Sequence, residues 1–290
     1  MADKSDPNFY TTPYAITKNI RRDPYWAIDS KNPANKQSGK IIIITGASSG
    51  IGAAAAKVWT EAHASGIVLA ARRVAAIDSL IEKLQPISPG TKFLRVKVDI
   101  VNEDDVKNLF QVVQEQFGRP ADVLLNNAGL LQDGFIGETE PSTWWKGIET
   151  NLKGLYQMTH HYIQSQPSPS QPIGTIISVS SGRAGFTSPR GSAYNISKLA
   201  EERNRTYRYG FSRLQTIRSG SRRFNWYVGA LSGTRESGLF ERWMVAVNWD
   251  VEELEEYKEE IVEGNLLKTS WLPILPLNGG KKLSGVRSQA

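Results

Sequence analysis

Tyr194 and Lys198 stand four residues apart in Tyr194-Asn195-Ile196-Ser197-Lys198, and Ser181 lies thirteen residues upstream. On a helix, residues four apart share a face, so the spacing lays the lysine ammonium beside the phenol. A cation next to a phenol favours its phenolate, which suits such a tyrosine to giving or taking a proton near neutral pH. A serine hydroxyl brought in from another strand can hydrogen-bond the same reacting oxygen. Taken alone, the Tyr-x-x-x-Lys spacing is common on helix surfaces. Its meaning depends on what positions it.

About 150 residues earlier the chain reads Ile41-Ile42-Ile43-Ile44-Thr45-Gly46-Ala47-Ser48-Ser49-Gly50-Ile51-Gly52. Four consecutive isoleucines suit a parallel strand buried on both faces. After the glycines, Ala53-Ala54-Ala55-Ala56-Lys57-Val58-Trp59 opens a helix of strong formers. A strand, a glycine-rich turn and a helix together read as a dinucleotide-binding arrangement. The turn lets backbone approach a pyrophosphate, and the helix N-terminus offers N–H groups to the phosphates. The spacing is Gly-x-x-x-Gly-x-Gly rather than the commoner G-x-G-x-x-G. A plain strand-turn-helix is the competing reading.

A third segment, Asp122-Val123-Leu124-Leu125-Asn126-Asn127-Ala128-Gly129, is another apolar strand ending in Asn-Asn-Ala-Gly, and Asn151 follows in the next helix. With these motifs in this order, the chain resembles the short-chain dehydrogenase/reductase family. The Pro-rich lead-in, Trp144-Trp145 and the stretch Asn248-Trp249-Asp250-Val251 resemble its fungal branch. The resemblance implies an α/β fold, a Rossmann-like doubly wound parallel sheet flanked by helices in a single domain. It implies a catalytic set of Asn151, Ser181, Tyr194 and Lys198. Tyr194 would exchange the proton with the substrate oxygen, and Lys198 would tune the tyrosine and bind the nicotinamide ribose. Ser181 would hold the substrate oxygen, and Asn151 would order a water leading to solvent. The cofactor set it implies is Gly46, Ser48, Ser49, Gly50, Ile51, Gly52, Arg72, Asp99 and Asn126, joined by Tyr194 and Lys198. Its reaction is hydride transfer between a nicotinamide and a ketone or secondary alcohol. In its fungal branch, the setting is tailoring of a secondary metabolite.

The cofactor can be argued further. The segment Gly66-Ile67-Val68-Leu69-Ala70-Ala71 ends in Arg72-Arg73. An acidic residue at the end of this strand would accept from the ribose hydroxyls of NAD, whereas an arginine suits the 2′-phosphate of NADP. Ala71 takes the place of the acid, so NADP(H) is expected.

Length and composition set bounds. A chain of 290 residues can bury one large α/β core, and 40% apolar with 22% charged residues is ordinary for a globular protein. There is no cysteine, which excludes disulfides and thiolate chemistry. His63, His160 and His161 have no metal-ligand spacing. The net charge of +6 draws on Arg203, Arg205, Arg208, Arg213, Arg218, Arg222 and Arg223. That cluster reads as a solvated, irregular segment rather than a nucleic-acid surface. No apolar run approaches the ~20 residues of a membrane span, and no signal core opens the chain. The expected partners are a small carbonyl or alcohol substrate and, in a homo-oligomer, further copies of the same chain; no nucleic acid or membrane partner is expected, and the expected compartment is the cytoplasm.

The chain divides into an arm at 1–39, the domain at 40–268 and a tail at 269–290. Strands are expected at 40–45, 66–71, 92–99, 122–126 and 174–180. Helices are expected at 53–64, 74–85, 103–117, 142–164, from 192 onward, and at 250–264. The family pattern breaks at 201–236. The helix bearing Tyr194 should continue apolar, yet it runs Glu201-Glu202-Arg203. Leu214-Gln215-Thr216-Ile217 reads as the start of a strand, but no Pro-Gly loop follows it. Two readings stay open for this stretch: divergence or truncation within the family, leaving an impaired NADP-binding protein or scaffold, and a reading-frame or splice error in the translated sequence.

Overall fold

The computed structural model describes residues 17–21, 23–170, 173–185, 187–203, 213–219, 244–246 and 249–264. Chain order alternates strand and helix: β1 (Ile41–Thr45), α1 (Gly50–Glu61), β2 (Gly66–Ala71), α2 (Val74–Leu84), β3 (Lys92–Lys97), α3 (Glu103–Phe117) and β4 (Val123–Asn126). Then follow α4 (Pro141–Ile148), a π-helical turn (Glu149–Lys153), α5 (Gly154–Gln164), β5 (Thr175–Ser181), a 3-10 turn (Gly182–Gly185) and α6 (Ser192–Arg203). β6 (Arg213–Ser219), β7 (Met244–Ala246), α7 (Val251–Glu256) and α8 (Lys258–Gly264) follow, and two 3-10 turns (Trp26–Ile28 and Pro33–Asn35) precede β1.

The strands form one sheet in the order β3-β2-β1-β4-β5-β6-β7. Every pairing is parallel. The isoleucine run explains why β1 sits near the middle. Ile42 and Ile44 join the apolar cluster on one face with Trp59 and Leu69, while Ile41 and Ile43 join the other with Val106 and Tyr162. Each such side chain contributes about 1.5–3 kcal/mol when fully buried. A strand apolar on both faces requires helices on both sides, which makes the sheet doubly wound. The order reverses between β1 and β4, and in such sheets that switch point opens a crevice at the carboxyl ends of the strands.

Four expectations are revised. The helix expected over 142–164 is interrupted by the π-helical turn, because Asn151 in that turn bonds the backbone of Leu130 in both directions. The helix expected over 250–264 breaks at Tyr257, which has φ −94 and ψ 18. The arginine-rich stretch is not wholly irregular, since Arg213 and Arg218 belong to β6, which pairs with β5 along its whole length; Arg205, Arg208, Arg222 and Arg223 lie outside the described residues, as does the tail from residue 269. The arm does more than lie on the surface: Ile28 enters the core, and Lys18 and Asn19 donate backbone N–H groups to Glu253 on α7.

Candidate active site

The turn after β1 builds its cradle from backbone. Gly46 has φ +66, and a Cβ there would stand 2.9 Å from Ala128 Cα. A Cβ on Gly52 would stand 2.5 Å from the Gly46 carbonyl oxygen. Both positions therefore need glycine, one for its left-handed backbone and one for close approach. Ser49 precedes the first turn of α1 and makes no side-chain cap bond to it. The Thr45 hydroxyl accepts from the backbone of Asn127 and Ala128, at 2.9 and 3.0 Å, tying the end of β1 to the loop after β4. Between these loops lies a cleft of about 630 Å³ lined by Gly46, Ser48, Ser49, Arg72, Asp99 and Gly129, among others. Arg72 and Arg73 are exposed along it.

Gly50, Ile51 and Gly52 form the first turn of α1 beside this cleft. Asn126 does not line it. Its amide donates to Thr159 Oγ1 on α5 at 3.0 Å, and the next residue, Asn127, faces the cleft instead. The alternation of a strand explains this, because successive side chains leave opposite faces. Asn127 and Thr45 are the residues that sequence reasoning passed over here. The doubled Asn-Asn was the available signal, but it does not say which of the two turns inward.

α6 and β5 bring the second half together. Lys198 Nζ lies 5.7 Å from the centre of the Tyr194 ring. It donates to the carbonyl oxygen of Val179, two residues before Ser181 on β5. Ser181 Oγ accepts from the backbone N–H of Arg183 at 3.2 Å, and the Arg183 guanidinium lies 5.4 Å from the centre of the same tyrosine ring. Asn151 is fully buried and donates to Ser197 Oγ at 2.9 Å. The Ser197 hydroxyl in turn donates to the Tyr194 carbonyl. Ser197 thus couples the π-helical turn to α6, a role its place inside the Tyr-x-x-x-Lys spacing did not signal. Gly129 joins the two halves: it lines the cleft, and a Cβ there would stand 3.3 Å from Asn151 Oδ1 and 3.6 Å from Lys198 Nζ.

The short chain dehydrogenase family model matches residues 40–203. The chain belongs to the short-chain dehydrogenase family. It is 30% identical to short chain dehydrogenase mpl6 of Monascus purpureus, over 80% of this chain and 89% of that protein. It is 29% identical to short chain dehydrogenase pigC of Monascus ruber, over 93% and 98%. Among solved structures, an NADH-dependent reductase complexed with NAD has the same fold, with a TM-score of 0.62 at 20% identity over 74% of this chain and 97% of that one.

In this short-chain dehydrogenase the family match ends at Arg203, where α6 also ends. The last turn of that helix carries an unusual feature. Glu201 and Glu202 are both buried, at 3% and 2% exposure. Glu201 takes Lys198 Nζ on both carboxylate oxygens, at 2.8 and 3.0 Å. Glu202 accepts from Ser180 Oγ at 3.0 Å. Burial pushes the Glu201 carboxyl up to about 7, against the pull of Lys198, and the neighbouring Glu202 adds to the rise.

Proposed function

We propose that this chain is an NADP(H)-dependent oxidoreductase that interconverts a ketone and a secondary alcohol by reversible hydride transfer. The observation that carries the cofactor choice is the end of β2: Ala71 leaves no carboxylate there, and the exposed Arg72 and Arg73 line the same cleft as the glycine-rich turn. The cleft fits the pyrophosphate half of such a cofactor. It has a glycine cradle that Cβ atoms would fill, a helix N-terminus, and two guanidinium groups to receive a phosphate.

Gly46, Ser48, Ser49, Gly50, Ile51 and Gly52 would hold the phosphates, Arg72 the 2′-phosphate, and Asp99 the adenine side. When bound, the nicotinamide supplies or accepts the hydride. Tyr194 gives the proton to the carbonyl oxygen during reduction and takes it back during oxidation. Ser181 holds that oxygen. Lys198 binds the nicotinamide ribose and supports the tyrosine, and Asn151 keeps a water path from Lys198 to solvent. Asn126, bonded to Thr159, supports this side of the site from behind. The substrate is a small carbonyl or alcohol compound of fungal secondary metabolism, and the setting is the cytoplasm. The domain runs over 40–268, and assembly into a homo-oligomer is compatible with it.

A second reading, an impaired NADP-binding protein or scaffold, is favoured by one observation: Lys198 is held by Glu201. Fluorescence titration with NADPH and NADH, followed by turnover of a panel of small ketones, separates the two. The oxidoreductase reading expects NADPH binding with turnover. It also expects Arg72→Ala to weaken NADPH by about tenfold, the worth of one charge-assisted contact, while leaving NADH nearly unchanged. Binding without turnover supports the impaired reading. An unchanged NADPH affinity in Arg72→Ala would remove the argument for NADP.

A further inference from the structure

An ammonium has three N–H donors and no more. Lys198 Nζ makes three bonds: to Val179 O at 3.0 Å, to Glu201 Oε1 at 2.8 Å and to Glu201 Oε2 at 3.0 Å. The lysine is therefore saturated by the protein itself. Glu201 lies three residues along the same helix with its side chain 1% exposed, so water does not weaken the pair as it would at a surface. We propose that Glu201 is a clamp on Lys198, competing as a carboxylate with the ribose hydroxyls of a bound nicotinamide dinucleotide for the lysine N–H groups and releasing them when protonated. The proposal rests on the dinucleotide reading of the site.

The environment gives the clamp a usable range. The Glu201 carboxyl is lifted to about 7 by burial, so the clamp opens as the pH falls through neutrality and closes as it rises. The charged groups acting on Glu201 are Lys198 and Glu202, both on α6. Of the elements packed on α6, β5 carries no charge, α4 carries Lys146, the π-helical turn carries Glu149 and Lys153, and the 3-10 turn carries Arg183, which lies over Tyr194 and pairs with Asp133. Among the described residues, burial, Lys198 and Glu202 account for the displacement of the Glu201 carboxyl. Glu201 is thus a positioning residue, acting on the cofactor through Lys198.

The test is fluorescence titration of the full-length protein with NADPH at about pH 6 and about pH 8, for the native chain, Glu201→Gln and Glu201→Leu. The native protein should bind more weakly at the higher pH. Each variant should bind about tenfold more tightly than the native protein at about pH 8, converging on it at about pH 6. The 2′-phosphate titrates near ~6, but that change is common to all three proteins and cancels in the ratio. A glutamate that merely supported the helix would move affinity the other way, both variants weakening at both pH values. That result, or equal affinities throughout, overturns the clamp alone. Failure of all three proteins to bind overturns the dinucleotide reading and the clamp with it.

Discussion

The turn between β1 and α1 and the last turn of α6 face the same problem, holding charge at a site, and solve it differently. The first uses backbone. Its proposed anion cradle consists of glycine geometry and a helix N-terminus, with no ionisable side chain among Gly46, Ala47, Ser48, Ser49, Gly50, Ile51 and Gly52. The second uses side chains: Lys198, Glu201 and Glu202 are buried within five residues of one another. Backbone dipoles do not titrate, so the cradle should keep its character across the pH range. A buried carboxylate and ammonium stay paired only while both are charged. Of these two protein segments, the last turn of α6 is therefore the one that responds to pH, and the glycine turn is not.

The largest expected effect breaks one region while sparing the other. Tyr194→Phe removes the proposed proton donor and nothing from the glycine turn. Turnover should fall by about 100- to 10,000-fold, the usual worth of a positioned acid or base, while NADPH affinity stays near the native value. Full turnover in this variant would mean that the tyrosine does not transfer the proton. A parallel loss of NADPH binding would mean that the two regions are not separable.

Next in size is Lys198→Met, which leaves Glu201 buried without its cation. Breaking a buried pair costs about 3–5 kcal/mol when the remaining group stays charged. Glu201 can escape part of that cost by taking a proton. In the native protein its carboxyl already sits at about 7, above the unfolded value of 4.5. A raised carboxyl pKa means that the folded state holds its proton longer. This group's contribution to stability is thus fully present below 4.5 and is lost as the pH rises through about 7. Without Lys198, which lowers the carboxyl, the loss extends to higher pH. Thermal melts should show the variant close to native near ~pH 5 and well below it near ~pH 8. A difference that does not change with pH would show that Glu201 does not respond to Lys198.

How far the sequence reveals each region follows the same division. The strand and glycine turn are legible because their demands are compositional: four apolar residues for a strand buried on both faces, and glycines where a Cβ would collide. β2 and α3 were found at their observed bounds, Gly66–Ala71 and Glu103–Phe117, for similar reasons. α3 even carries its own punctuation, with Asn102 accepting from Asp104 and Asp105 at one end and left-handed Gly118 at the other. The clamp was not legible. Glu201-Glu202-Arg203 on a helix reads as a solvated face, since charged residues seldom bury; the spacing sets Glu201 one turn from Lys198, but only the third dimension shows that this turn is buried. The π-helical turn was hidden for a related reason: its cause is the bond between Asn151 and Leu130, twenty-one residues apart in sequence. Asn126 and Asn127 show the limit of motif reading, in which residue types are clear but the inward one depends on register.

The smallest expected effect tests whether stability can be altered without touching either region. Asp250 is buried and does two jobs at the start of α7. One carboxylate oxygen accepts from the backbone of Glu252 and Glu253, and the other accepts from Arg21 Nε at 2.5 Å. The arm is thereby fastened to α7, and Tyr25 adds its hydroxyl as acceptor for the Val251 N–H. Asp250→Ala removes the helix cap and the ion pair together and should cost about 1–2 kcal/mol, mostly from the cap. Arg21 is 39% exposed, so solvent screens its share of the pair. Asp250→Asn keeps the capping oxygen and should cost less than about 1 kcal/mol. Melting temperatures should fall in that order, by about 2–4 °C per kcal/mol for a chain of this size, with NADPH affinity unchanged in both. Because Trp249, Val251 and Leu254 pack in the same apolar cluster as Ile28 and the β1 residues Ile42 and Ile44, a loss of NADPH affinity in Asp250→Asn would show that the arm and α7 reach the cradle through that core.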